Sequence, residues 1–210
     1  MFDGLRRRLR GAPAAPTAPA APVLTAAEEA RLAERVAELV LPGFRTRADV
    51  VEIVGDQAGD DFPGLPAAAV TTAVDDLWRA RLAEQESWPP RTDADRLDDA
   101  FAALEASGIV ARMNFTCCLT CGRDEIRDEA PPGPRSDGFV FFHEQDAERL
   151  SDPDADLYLA FGAWSGSADA EVGERVRAEL VGQRLVAEWD GDAGARLVVR
   201  GQDWRRRLPG

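Results

Sequence analysis

Lysine is missing from this sequence altogether, so all 25 basic side chains are arginine. The bias reads as the mark of GC-rich codon usage, and no arginine is singled out on that ground alone. Histidine is nearly missing too: His143 stands alone beside three cysteines, Cys117, Cys118 and Cys121. An odd number of thiols crowded into one stretch is not the framework of a disulfide-stapled secreted domain, so reduced cysteines are expected. Nor is there an apolar run of the roughly 18–20 residues that crosses a bilayer. The early arginines Arg6, Arg7, Arg8 and Arg10 are not followed by the apolar stretch of a secretory signal, and a cytoplasmic location is expected.

An excess of positive charge is also lacking. Acidic residues outnumber basic ones by 38 to 25, a net charge of -13. Most of such a surface repels nucleic-acid phosphates and anionic membranes, which sets aside general nucleic-acid binding. What is present is ordinary for a globular protein: 210 residues, 45% apolar and 30% charged, enough for one domain or two small ones with a buried core.

Residues 1–24 hold a basic segment and then the run GAPAAPTAPAAP, too poor in large apolar groups to offset the entropy of ordering, and are read as a disordered tail. Phe2, Leu5 and Leu9 among the arginines spell a small amphipathic helix for a membrane or an acidic partner; a charged tail that touches nothing is preferred. A helical region is expected over 25–108. Thr25 and Glu28 form a capping box ahead of Leu32, Val36, Leu39 and Val40, and Pro42-Gly43 stops that helix. Thr46 and Asp49 repeat the signal before Val50, Val51, Ile53 and Val54. A third helix is expected from Pro66 to Glu86, burying Val70, Val74, Leu77, Trp78 and Leu82. A fourth starts at Thr92 with Asp95 in the reciprocal position, turns Leu97, Phe101 and Leu104 inward, and is closed by Gly108.

After Gly108 short apolar runs alternate with helical segments, which predicts an α/β (α+β) fold. Strands are expected at 109–115, 138–142, 157–161, 184–189 and 196–200. Helices are expected at 121–129, 144–150 and 169–182, the last with Val172, Val176 and Leu180 on one face. Asp190-Gly191-Asp192-Ala193-Gly194 joins the last two strands as a hairpin. The fold class is thus N-terminal helices followed by a mixed, largely parallel sheet with crossover helices and a C-terminal hairpin. The α/β domain spans 109–204, and 205–210 form a C-terminal tail.

Parallel strands deliver their loops to one carboxyl edge, where ligands bind. Four exits are rich in functional groups: Thr116 to Gly122, His143 to Asp146, Gly162 to Ser167, and Glu188-Trp189-Asp190. If the first two strands are parallel neighbours, the histidine and the cysteines share an edge. The glycine-containing loop after Phe161 invites a phosphate, but Asp169 and Glu171 in the next helical turn oppose an anion, so a plain turn is preferred. Trp164 and Trp189 suit a pocket, a partner surface or a core equally.

NFTCCLTCG from Asn114, GFVFFHEQD from Gly138, LYLAFGA from Leu157 and EWDG from Glu188 together resemble a bacterial family of domains of unknown function. The likeness runs from the first helix to the final strand and carries no activity with it. In that family a histidine can follow the Cys-Gly pair; here Arg123 stands there, which counts against a metal site.

The thiols admit three readings. Cys118 and Cys121 form a C-x-x-C at an expected helix start, where the backbone N–H groups favour the thiolate and suit disulfide exchange or redox sensing. Cys118, Cys121 and His143, with Cys117, supply the ligand types of a zinc site. Buried structural cysteines are the plainer alternative. His143 with Glu144 and Asp146 has the makings of acid–base machinery, or of a histidine that merely caps the next helix or bonds a neighbouring loop, which is preferred. Two functions follow: a cytoplasmic binding or regulatory module that offers an acidic surface to a protein partner, preferred slightly, or a thiol- or zinc-dependent enzyme or redox sensor built on Cys118, Cys121 and His143.

Overall fold

Three helices with matching apolar stripes open the fold. In the computed structural model, which describes residues 24–61, 65–130, 137–165 and 168–210, helices α1 (Ala26–Val40), α2 (Arg47–Asp61) and α3 (Ala67–Gln85) close around Leu32, Val36, Leu39, Val40, Val50, Val54, Val70 and Val74. The segment read as a disordered tail lies outside the described residues apart from Leu24. All three expected capping pairs form, Thr25 with Glu28, Thr46 with Asp49 and Thr92 with Asp95. Leu82 departs from the expected face; its side of α3 looks outward and it is 46% exposed.

Helix α4 (Asp93–Ala106) follows the first three in sequence but packs elsewhere: its Leu97, Ala100, Phe101 and Leu104 join the core of the sheet. Gly108, at φ +91°, takes the left-handed position that ends the helix and lets β1 begin at once. The strands are β1 (Ile109–Arg112), β2 (Gly138–Phe141), β3 (Leu157–Ala163), β4 (Val186–Glu188) and β5 (Leu197–Arg200), in the order β1-β2-β3-β5-β4. Helix α5 (Leu119–Glu125) lies between β1 and β2, the short α6 (Glu144–Glu148) between β2 and β3, and α7 (Asp169–Gly182) between β3 and β4.

The fold is α+β with a mixed sheet, but the sheet is not largely parallel. β1 and β2 pair in parallel, whereas β2–β3, β3–β5 and β4–β5 are antiparallel. Chain geometry gives the reason. A parallel return needs a helix that runs back along the strand, and α6, with five residues, is too short to do it, so β3 reverses beside β2. The 14-residue α7 is long enough; it carries the chain from β3 to β4, which share a direction with β5 between them. Consequently the four loop exits divide between two edges. The loops after β1 and β2 meet at one, and those after β3 and β4 lie at the other.

Alternation sorts the two faces of the sheet. Ile109, Ala111, Val140, Phe142, Leu157, Leu159 and Phe161 look toward α4 and α7, while Val110, Phe141 and Ala160 look toward the opposite side, where Ile126 and the α5 segment cover them. The C-terminal residues return across the helical layer: Leu208 is buried among α1–α3, and the Trp204 indole N–H donates to the Pro42 carbonyl at 3.1 Å.

Candidate functional site at the cysteine loop

The expected first strand ends three residues early, at Arg112, because the backbone turns left-handed at Asn114 (φ +50°) and again at Thr116 (φ +56°). For a β-branched residue that conformation is strained, and it persists only where neighbours over-determine it. Here they do. Phe115 N–H donates to the Phe142 carbonyl at 2.9 Å, Glu144 N–H donates to the Thr116 carbonyl at 3.0 Å, and the Thr116 hydroxyl donates to the Phe115 carbonyl at 2.6 Å. The cysteine loop is thereby tied to the exit of β2.

Cys118 is the N-cap of α5 and Cys121 lies in its first turn, so the C-x-x-C spans the start of that helix. The helix is held down by Gly122: a Cβ there would stand 2.3 Å from the Phe141 ring, so no other residue allows so close an approach. The sulfurs of Cys117, Cys118 and Cys121 all lie within 4.8 Å of one another, and Cys117 Sγ is 3.5 Å from Cys121 Sγ. Cys117 is exposed and the other two are partly so, with no disulfide among them.

The Cys118 sulfur makes no formed cap hydrogen bond, yet its surroundings favour the thiolate. The Cys121 N–H contributes most, followed by the Cys121 and Cys117 thiols and the Thr120 N–H, and together they hold its pKa below the ordinary thiol value. The same clustering acts oppositely on Cys121, where the Cys117 and Cys118 sulfurs push the pKa to about 12. One proton leaves this cluster readily; the last leaves reluctantly.

His143 shares the edge but not the cluster. Its imidazole is buried, 3% exposed, and engaged with its own helix. Nδ1 accepts from the Asp146 N–H at 3.3 Å, Nε2 lies 2.9 Å from Asp146 Oδ2, and the Asp146 carboxylate accepts the His143 N–H: the ring is the N-cap of α6. A lone pair on Nδ1 and a proton on Nε2 describe the neutral tautomer. Burial is the largest influence and, with smaller contributions from Arg196 and Arg149, it lowers the pKa against the opposing pull of Asp146. Asp146, 1% exposed, is balanced by Arg149 and Arg196. Glu144 is turned away, paired with Arg45 at 3.0 Å. Arg196 had no signal in the sequence, since nothing marks an arginine just ahead of an interior strand as the partner of a distant aspartate. The left-handed residues Asn114 and Thr116 were equally silent.

Trp164 and Trp189, at the other edge, are packing residues. Trp164 lies 5.2 Å from Phe139, and Trp189 meets Phe161 edge-on at 5.3 Å.

Fold and site together define an α+β protein whose one clustered set of thiols sits on a loop at the carboxyl edge of a parallel strand pair. The chain belongs to the domain of unknown function family DUF6891, whose match covers residues 25–208. No curated protein and no solved structure matches it. Among the described residues no helix is long and apolar enough to cross a membrane.

Proposed function

We propose that the protein binds a soft metal ion, zinc foremost, through Cys117, Cys118 and Cys121. The observation that carries this reading is the convergence of the three sulfurs within 4.8 Å. Tetrahedral zinc with bonds of about 2.3 Å sets its sulfurs about 3.8 Å apart, so these thiols reach a shared ion with small side-chain rotations. The neutral, capped His143 is not one of the ligands, and three sulfurs leave a fourth position for water, a small molecule or a partner's side chain. A reducing compartment, the cytoplasm, suits three free thiols.

A second reading rests on the 3.5 Å approach of Cys117 and Cys121 beside a Cys118 that ionises readily: without metal, the loop is a thiol–disulfide sensor. The acidic surface for a protein partner draws on the net charge of -13 alone.

Metal content of protein purified under reducing conditions, followed by cobalt titration, tests the proposal. One ion per chain, a thiolate-to-cobalt charge-transfer band, and loss of both in Cys121→Ser with the fold retained are expected. Protein that takes up neither ion and instead forms a Cys117–Cys121 disulfide with peroxide passes the site to the second reading. A Cys121→Ser chain that merely unfolds early makes the cysteine structural.

A further inference from the structure

A separate cavity of about 480 Å³ opens where the helical layer, the turn after α6 and the C-terminal strap meet. It falls in the roughly 300–1,000 Å³ range of small-molecule sites, at the kind of junction such sites favour. Its apolar wall is made by Leu41, Trp88, Leu150, Pro153 and Trp204. Its charged groups come in both signs and are paired, Arg81 with Glu84 at 2.9 Å and Arg205 with Asp203 at 3.0 Å.

Among the described residues three buried side-chain polar atoms have no hydrogen-bond partner, and two belong to residues lining this cavity: Arg81 Nε and Gln202 Oε1. Gln202 is 7% exposed and spends its amide N–H on the Ala155 carbonyl at 2.7 Å, which leaves its oxygen idle. Arg81 gives its terminal nitrogens to Glu84 and to the Leu41 and Trp204 carbonyls, and its guanidinium lies 4.4 Å over the Trp88 ring. A buried donor and a buried acceptor left unpaired at one cavity are a standing cost that a bound group removes.

From this arrangement we propose that the cavity is a binding site for a free amino acid with a large apolar side chain. Its carboxylate accepts from Arg81, its ammonium donates to Gln202 Oε1 beside the acidic pair Glu84 and Asp203, and its side chain lies along Trp88, Trp204 and Leu150. A zwitterion suits a lining whose formal charges cancel, whereas a net anion or cation leaves one of those pairs uncompensated. The site is independent of the cysteine loop and of any metal there.

Calorimetric titration of the full chain with L-phenylalanine, L-leucine and L-tryptophan tests this. Saturable one-to-one binding is expected, weakened at least about tenfold in phenethylamine, which lacks the carboxylate, in 3-phenylpropionate, which lacks the ammonium, and in glycine, which lacks the apolar body. Trp88→Leu, on a half-exposed wall residue, is expected to weaken binding at least as much with far-UV circular dichroism unchanged. Arg81→Lys, which removes Nε, is expected to do likewise. No binding of any of the three amino acids at about 1 mM and above overturns the proposal. So does equal binding of the truncated analogues, or a crystal soaked with phenylalanine in which an ordered water alone meets Gln202 Oε1.

Discussion

A thiol that faces two backbone N–H groups and two further thiols parts with its proton early, and Cys121 then holds its own. That asymmetry sets the order of reaction within the loop. Alkylation by iodoacetamide across a pH series, mapped by peptide mass, is expected to label Cys118 below the ordinary thiol pKa of about 8.5 and before Cys121. Equal labelling of all three at every pH contradicts the clustering. His143 makes a second residue-scale case. Its folded pKa lies below its unfolded one, so the unfolded chain binds the extra proton first, and this contribution to stability is present above about pH 6.5 and lost as pH falls through and below that value. Denaturation midpoints measured from pH 7 to 5 are expected to fall in the native chain. His143→Asn keeps an oxygen cap without the titrating ring, and its slope over that window is expected to be shallower. At this scale the sequence showed which residue types matter and offered a helix cap as one role for His143; the capping box it forms with Asp146 is seen only in the structure. Its burial, and the arginine across from Asp146, depend on strands distant in the chain and could not be read locally.

Elements were legible where a local device defines them. Thr25 with Glu28 and Thr92 with Asp95 start helices at the expected residues, since a capping box needs only four consecutive positions. Thr92 is 3% exposed, and Thr92→Ala is expected to cost about 1 kcal/mol in urea unfolding, in line with other cap deletions. Strand ends were less legible: the first strand was expected to reach Phe115, and its termination at Arg112 follows from left-handed backbone at Asn114 and Thr116 that no pattern announces. The attachment of α5 is the element-scale link to the site. Gly122→Val pushes a branched side chain against Phe141, which is fully buried and has nowhere to go. Overpacking of this kind costs typically about 1–3 kcal/mol, and because it lifts the helix that carries Cys121, metal affinity is expected to fall with stability. A Gly122→Val chain with native stability and native cobalt binding means that α5 does not need the contact.

Over the whole molecule, the unreadable quantity was strand direction. Hydrophobic runs and helix lengths gave five strands and seven helices in order, but whether a connector crosses the sheet or turns back depends on how its few residues pack, and α6 turns back. The cysteines and His143 still reach one edge because the single parallel pair is the pair that matters for them, β1 with β2. The same scale explains how the helical layer is joined to the sheet. Residues after β5 cross to α1–α3, burying Leu208 there, while Arg206 and Arg207 pair with Asp98 and Asp95 of α4 and the Leu208 N–H donates to Gln85. Surface ion pairs contribute little individually, so the buried Leu208 and the Trp204 indole carry most of the attachment. Burial of a leucine side chain is worth roughly 1.5–3 kcal/mol, and Leu208→Ser is expected to lower the unfolding free energy by that order while leaving cobalt binding at the cysteine loop intact. Deletion of residues 203–210 goes further. It removes the indole, the leucine and both arginines at once, and calorimetry is expected to resolve one cooperative unfolding transition into two, the helical layer melting first. A single unshifted transition in the deleted chain requires the α1 contact with the turn after α6, together with the 3.2 Å Arg35–Glu148 pair at the end of α6, to hold the layers together instead.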